Sequence, residues 1–232
     1  MSIKLLQEKQ NKIQKNSNFY TPAGIHVYFK ERPHNDSIDM ERVVAQIESK
    51  IPLHLLSEVE MIIVGWFDEF EERSINAFYE GGTLFISSMQ DSEADIYDDI
   101  IHEIAHSLEN AHGRHLYADQ KLQDEFLRKR KYIHDLLWAK GFKAPVTFFL
   151  NVEYDQEFDD FLYKTVGYDR LATLLSGIFV SPYAATSLRE YFATGFTEFY
   201  LDSNHNFIKK ISPALYRKII SLQDPKILDN EH

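Results

Sequence analysis

The sequence predicts a domain of the mixed α/β class, α+β in arrangement, with a small sheet in the N-terminal half and mainly helices in the C-terminal half. Short β-branched and aromatic runs alternate with helical periodicity before residue 90, and helical periodicity dominates after it. The chain is 44% hydrophobic and 14% aromatic, which is typical of a packed globular protein. Its 232 residues contain no repeat and no Gly/Ser linker. We therefore expect a single domain over 21–232, with 1–20 as a flanking segment.

The N-terminal half contains the strand signals. Two apolar runs, 24–32 and 59–67, are rich in β-branched and aromatic residues and predict strands, while the helical period of 39–51 predicts a helix between them. The stretch 74–88 consists of two short apolar runs separated by Gly81-Gly82. Two consecutive glycines supply the positive φ angles that a two-residue turn requires, so this stretch predicts a β-hairpin.

Helices are predicted for most of the remaining chain. The first begins at Ser92, which is followed by acidic residues as an N-cap residue commonly is, and is expected to stop at Gly113. Further helices are predicted over 116–140 and 186–201. The basic run at 128–131 lies among acidic and amide residues, so we interpret it as a solvated helix face.

Composition excludes several classes of function. Without cysteine the chain cannot use disulfides, thiol catalysis or thiolate metal ligands. A net charge of −11 argues against nucleic acid as a partner and favours basic or neutral peptides. No apolar run reaches the ~20 residues of a membrane span, and the N-terminus does not resemble a signal peptide. The expected location is the cytoplasm, with a phage particle or export without a cleaved signal as alternatives.

The stretch "DIIHEIAHSLENAH" at 99–112 is the main candidate for chemistry. At 100° per residue, His102 and His106 share one side of the helix, opposite an arc of apolar residues. Two imidazoles at i and i+4 can bind one zinc ion, and Glu103 then has the position of a proton-transferring carboxylate. An ordinary amphipathic helix also has such a polar face, so a third ligand decides between the two interpretations.

Two residues compete for the third ligand position. His112 has the spacing of H-E-x-x-H-x-x-G-x-x-H, but that pattern needs glycine where this chain has Glu109, and it needs a later methionine turn. All four methionines precede the motif, so His112 fails on both counts. Glu190 lies on the polar side of the 186–201 helix, although it could equally serve as the acid of a capping box that starts at Ser187.

The segments "HEIAHSLE" and "YAATSLREYFATGF" together resemble the zinc peptidase domain of the anthrax lethal factor family, which includes the Pro-Pro endopeptidases. The resemblance covers about 95–110 and 180–222. It implies a zincin-like fold in which a hairpin-edged sheet packs on the motif helix. It also implies a Zn²⁺ site formed by His102, His106 and Glu190.

The same resemblance implies catalytic roles for two further residues. Glu103 would act as general base and acid on a metal-activated water, and Tyr183 would stabilise the oxyanion. Glu109 would orient a ligand histidine, with simple solvent exposure as the other interpretation. In zincin-like folds an extended peptide pairs with an edge strand, and we assign that strand to Leu84, Phe85 and Ile86.

The chain departs from the family pattern in two places. The distance between the motif and Tyr183 is longer than in the family, which predicts a helical insertion over 114–180. Where the family often has a second acid, this chain has Thr194, so any support from an acid would come from elsewhere, for instance from Glu198.

The expected function is that of a zinc-dependent endopeptidase acting on a protein or peptide, in an oligomeric state that the sequence leaves open. The rival interpretation is a binding or structural component with the zincin fold, for example of a phage or toxin assembly, with little or no hydrolytic activity. A nonspecific metal-binding helix is a third alternative.

Overall fold

The computed structural model describes residues 17–201 and 205–228. The chain is a mixed α/β protein with a small mixed sheet, as the sequence predicts. It divides into two compact units, Met1–Ala111 and His112–His232. The expected single domain over 21–232 and the insertion over 114–180 stay predictions. Most of the expected flanking segment, residues 1–16, lies outside the described residues.

A five-stranded sheet forms the centre of the first unit. Its three inner strands run parallel to one another, and both outer strands are antiparallel to their neighbours. Residues 19–20 are the last two of the expected flanking segment, and they form one of the outer strands, so they belong to the sheet. The strands are β1 (Phe19–Tyr20), β2 (His26–Phe29), β3 (Met61–Gly65), β4 (Ala77–Glu80) and β5 (Thr83–Ser87), in the order β1-β2-β3-β5-β4.

The prediction that β5 is an edge strand is wrong. Leu84 pairs with β3 on one side, and Phe85 pairs with β4 on the other. Leu84 and Ile86 are fully buried, as befits an inner strand. The hairpin itself is correctly predicted. However, its second strand, β5, pairs with β3 and is an inner strand, which leaves its first strand, β4, at the edge of the sheet. Because its backbone groups are already paired, β5 cannot receive a peptide.

Local signals specify the hairpin turn and the first helix. Gly81 and Gly82 have φ values of +51° and +84°, as the predicted two-residue turn requires. Helix α1 (Met40–Lys50) follows Asp39, whose carboxylate accepts a hydrogen bond from the Arg42 backbone N–H. A short helix, α2 (Asp68–Arg73), connects β3 to the hairpin.

Helix α3 (Glu93–Tyr117) carries the H-E-x-x-H motif. Ser92 caps it, because its Oγ accepts from the backbone N–H of Asp95 at 3.2 Å. The expected stop at Gly113 is wrong: the helix is broken at His112 (φ −122°, ψ 22°) and then continues. Gly113 does not adopt the positive φ of a helix-ending glycine. The predicted apolar face is buried throughout and consists of Ile96, Ile100, Ile101, Ile104, Ala105 and Leu108.

The second unit is helical. The predicted helix over 186–201 is present, whereas the one predicted over 116–140 begins later because Gln120 turns the chain with a φ of +58°. A π-helix over Phe161–Val166 and a 3₁₀ turn over Tyr183–Ala185 interrupt the α-helices. The α-helices are α4 (Lys121–Ala139), α5 (Val146–Leu150), α6 (Gln156–Asp160), α7 (Tyr168–Leu174), α8 (Leu188–Leu201), α9 (Asn206–Ile211), α10 (Pro213–Leu222) and α11 (Pro225–Leu228).

Helix α4 packs against α5, α8 and α10 and buries two charged side chains. Glu125 accepts hydrogen bonds from the backbone N–H groups of Ala214 and Leu215 at 2.8 and 3.1 Å and so caps α10. The interpretation of 128–131 as a solvated face fails at Arg130, which is buried. Its position four residues after Phe126 places it on the apolar side of the helix.

None of the described helices is both long and apolar enough to cross a membrane.

The contact between α8 and α10 yields a stability prediction. A Cβ added at Gly195 would overlap Leu215 Cδ2 and lie 3.0 Å from its Cγ. Gly195→Ala should therefore destabilise the protein by about 1–3 kcal/mol through overpacking, although alanine favours helix. Gly113→Ala is the matched control, since a Cβ there meets open space at an unstrained φ. It should be neutral or stabilising by up to ~1 kcal/mol. Thermal and denaturant unfolding of both variants would check this, and equal effects would contradict the packing account.

Candidate metal centre

Two imidazoles are presented side by side by α3. His102 and His106 are one helical turn apart, and their ring centroids are separated by 4.9 Å. Both side chains are half-buried, while the apolar arc of the helix is fully buried. Burial of that arc fixes the rotation of α3 about its axis, so both rings lie on its polar side. The angular prediction for the histidine pair is confirmed.

Glu190 lies in the first turn of α8. Its backbone N–H donates to Ser187 Oγ at 3.1 Å, so the serine half of the capping box is present. The side chain of Glu190 is half-buried.

The structure brings His102, His106 and Glu190 together: one ligand atom of each lies within 4.8 Å of the ligand atoms of the other two. Such a group could hold a metal ion. Within 17–201 and 205–228, His112 belongs to no group of this kind. Two imidazoles and one carboxylate are a ligand set that zinc accepts, and three protein ligands leave a further coordination position open. By donor chemistry the residues fit the expected metal.

Glu109 is buried and contacts His106, one of the candidate ligands. Its Oε2 lies 2.7 Å from His106 Nδ1, and only 7% of the residue is exposed. The alternative of a solvent-exposed Glu109 is therefore wrong. A carboxylate at Nδ1 favours the tautomer that carries its proton there, which leaves Nε2 with a lone pair for a metal.

Further carboxylates precede and follow His102 on α3. Glu103 is buried, with 9% of its surface exposed. One turn earlier, Asp99 Oδ2 accepts a hydrogen bond from Gln90 Nε2 at 2.6 Å. Burial raises the pKa of Asp99 to about 6, against the opposing effect of the Gln90 hydrogen bond. The α3 segment around the histidines is therefore rich in carboxyl groups.

Tyr183 occupies the 3₁₀ turn that precedes α8. Its backbone carbonyl accepts from Thr186 Oγ1 at 2.8 Å, which tightens the turn. Burial raises the pKa of the Tyr183 phenol well above its usual range, and the charge of Glu190 raises it further. The side chain is nevertheless 37% exposed, so solvent and ligands can reach it. Tyr183 is therefore a neutral hydroxyl near the carboxylate of Glu190.

Sequence reasoning missed two other tyrosines near Glu190. The hydroxyls of Tyr154 and Tyr168 donate to the two oxygens of Asp159 at 3.1 and 2.9 Å. Burial is the main cause that raises the pKa of both phenols, and the charge of Glu190 contributes in each case. The Leu188 backbone N–H donates to the Val152 carbonyl at 2.8 Å and ties this segment to the start of α8. The alternation of acids and tyrosines over 153–168 was the available signal.

Comparison of the chain with protein-family models, with curated proteins and with solved structures gives no match. The family resemblance therefore rests on the motif residues of the sequence.

Asp99 yields a prediction about stability and pH. Its pKa is higher in the folded chain than the ordinary 3.8, so the folded state holds the proton more tightly. This contribution is complete below pH ~4 and is lost as the pH rises through about 6. Asp99→Asn should therefore raise the free energy of unfolding above pH 6 by up to about 3 kcal/mol and change little below pH 4.

Denaturant unfolding of metal-free protein between pH 3.5 and 8 would measure the effect. The exposed Asp91→Asn is the control, with an expected change within about 0.5 kcal/mol at every pH. A difference between wild type and Asp99→Asn that does not vary with pH would contradict the argument.

Proposed function

We propose that this protein is a zinc-dependent endopeptidase with a zincin-like fold, of the anthrax lethal factor-like type. The observation that carries the proposal is the group formed by His102, His106 and Glu190. Its support comes from the ligand chemistry, from the i, i+4 spacing on a buried helix, and from the family motif in the sequence. The closeness of Glu190 to the histidines also favours the ligand role over the capping-box role.

In this proposal His102, His106 and Glu190 hold the zinc ion, and Glu109 orients His106 through its Nδ1. A bound zinc ion would supply a Lewis acid and lower the pKa of a water molecule toward ~7. Glu109 contributes by favouring the metal-binding tautomer of His106 and by keeping its ring from rotating. Removing the carboxylate of Glu109 should weaken metal binding without removing a ligand.

In this proposal Glu103 and Tyr183 are the catalytic residues that act on the water and on the substrate. Glu103 accepts a proton from the attacking water and delivers it to the leaving amine, which is general base and then general acid catalysis. Tyr183 donates a hydrogen bond to the oxygen that becomes negative at the scissile carbonyl. A phenol with a raised pKa suits this task, because it keeps its proton throughout the neutral pH range.

The outer strand β4 replaces β5 as the strand that binds substrate. Among the described strands, β4 pairs only with β5, so its other edge is the place where an extended peptide could add a strand. Ala77 and Phe78 are buried, whereas Glu80 is exposed at the strand end. Backbone pairing at such an edge requires an extended segment, which favours a peptide or an unstructured region of a protein as substrate.

Metal analysis tests the ligand assignment. We expect about one zinc per chain in protein that was never exposed to chelator. Glu190→Gln should weaken zinc binding by orders of magnitude, because a neutral amide replaces an anionic oxygen on the metal. His112→Ala should leave zinc affinity unchanged. Elemental analysis and competitive zinc titration would measure both.

The matched control for the loss of one negative charge is Glu69→Gln, at an exposed carboxylate on α2. It should bind zinc as wild type does. Loss of metal in His112→Ala with retention in Glu190→Gln would reverse the third-ligand assignment. Wild-type zinc affinity in Glu190→Gln would remove Glu190 from the ligand set, and absence of zinc from the wild-type protein would remove the metal site from the proposal.

Kinetics test the catalytic assignment. Glu103→Ala should keep the zinc and the fold but reduce the hydrolysis rate by about 10²-fold or more, because only proton transfer is lost. Tyr183→Phe should also keep the zinc. It should raise the activation free energy of the chemical step by about 2–4 kcal/mol, the range for the loss of one oxyanion donor. A peptide library identifies a cleaved sequence, on which kcat and KM of both variants are then measured.

His134→Ala provides the control, since this histidine lies in the second unit on α4 and has no part in the proposed site. Its turnover should match that of wild type. If Glu103→Ala cleaves at the wild-type rate, the peptidase assignment is wrong even with zinc bound. A zinc-loaded wild type that cleaves no peptide would favour a binding or structural role.

A further inference from the structure

Arg130 is a charged side chain in the core of the second unit. Only 1% of it is exposed, and within the described part of the chain no carboxylate lies at ion-pair distance from its guanidinium. Burial lowers the pKa of Arg130 to about 9, although the charge of Asp155 partly opposes this. Burying an unpaired charge is unfavourable, and a leucine or methionine would fill the same volume without that penalty.

Backbone carbonyls accept hydrogen bonds from both Nη groups of the guanidinium, whereas its buried Nε has no hydrogen-bond partner among the described residues. Nη1 donates to the carbonyls of Ala185 and Thr186 at 2.7 and 3.1 Å, and Nη2 donates to the carbonyl of Phe148. The guanidinium carbon also lies 4.0 Å from the centroid of the Phe158 ring. One side chain on α4 therefore joins three separate segments of the unit.

The location of these carbonyls connects Arg130 to the proposed active site. Ala185 ends the 3₁₀ turn that begins at Tyr183, and Thr186 lies between this turn and the helix that carries Glu190. Thr186 also binds the Tyr183 carbonyl through its backbone N–H at 3.0 Å. A shift at residues 185–186 would consequently move the Tyr183 backbone on one side and the start of α8 on the other.

We propose that Arg130 is a positioning residue that holds the turn of Tyr183, and through it the Tyr183 hydroxyl, in the geometry needed for hydrolysis. The effect on hydrolysis rests on the proposed endopeptidase function, whereas the effect on the turn does not. The planar guanidinium is suited to this role because its donors point in fixed directions and can serve carbonyls of two segments together. A lysine keeps the charge and much of the length but cannot bridge them.

Hydrogen exchange of the metal-free protein tests the effect on the turn. Arg130→Lys should speed exchange in peptides that cover 181–190 by about tenfold or more. The Ala185 and Thr186 carbonyls lose their fixed donor, so the turn that their own N–H groups close opens more often. Peptides from α10 and from the sheet should exchange as in wild type. The control is Arg128→Lys, at an exposed position on the same helix, which should change nothing. Unchanged exchange at 181–190 would overturn the proposal, and so would faster exchange throughout the second unit, since that indicates a general structural role.

A double-mutant cycle tests the effect on hydrolysis. Arg130→Lys should lower kcat by about 10- to 100-fold with little change in KM, as expected for a misplaced catalytic group. Added to Tyr183→Phe, the same change should lower kcat by less than about threefold, because the hydroxyl that Arg130 positions is already gone. Independent, multiplicative effects would overturn the proposal. If wild type cleaves nothing, the proposed function fails, while the exchange experiment still decides the role of Arg130 in the turn.

Discussion

The candidate metal centre depends on the burial of one face of α3. Six apolar side chains of this helix have almost no exposed surface, so their burial fixes the rotation of the helix about its own axis. With that rotation set, residues at i and i+4 on the other side must point the same way. The pairing of His102 and His106 is therefore a consequence of hydrophobic packing. Glu109 follows three residues later and reaches the Nδ1 of His106 for the same reason.

Helix α4 carries two buried charged side chains in the second unit, and most of their hydrogen bonds are to backbone groups. Glu125 accepts from two N–H groups at the start of α10 and from the hydroxyl of Tyr191, while Arg130 donates to three carbonyls. A charge-assisted hydrogen bond to the backbone is directional, whereas an apolar contact tolerates sliding. Helix α4 thus fixes the first turn of α10 through Glu125 and the segment before α8 through Arg130. Each of these charged side chains therefore fixes a backbone segment, which an apolar side chain of similar size would not do.

The acids and phenols of the second unit form a connected electrostatic environment around Glu190. Asp159 accepts hydrogen bonds from Tyr154 and Tyr168, and the charges of Asp159 and Glu190 both help to raise the pKa of Tyr183. Such phenols remain neutral donors over the whole physiological range. The segment that carries them includes a π-helix, a rare conformation that is frequent at functional sites. A region that looks like an insertion in the sequence thereby contributes side chains close to a candidate ligand.

The sequence by itself determined the features that depend on neighbouring residues. The Gly81-Gly82 turn, the Ser92 cap, the buried face of α3 and the histidine pair all follow from periodicity or from the local conformational needs of a few residues. Only the tertiary structure decided which strand lies at the sheet edge, because strand order depends on how the connection from β3 crosses the sheet. It also decided that Glu109 and Arg130 are buried, and that Tyr154 and Tyr168 lie near Glu190. Burial and proximity between distant segments depend on contacts that no single stretch of sequence encodes.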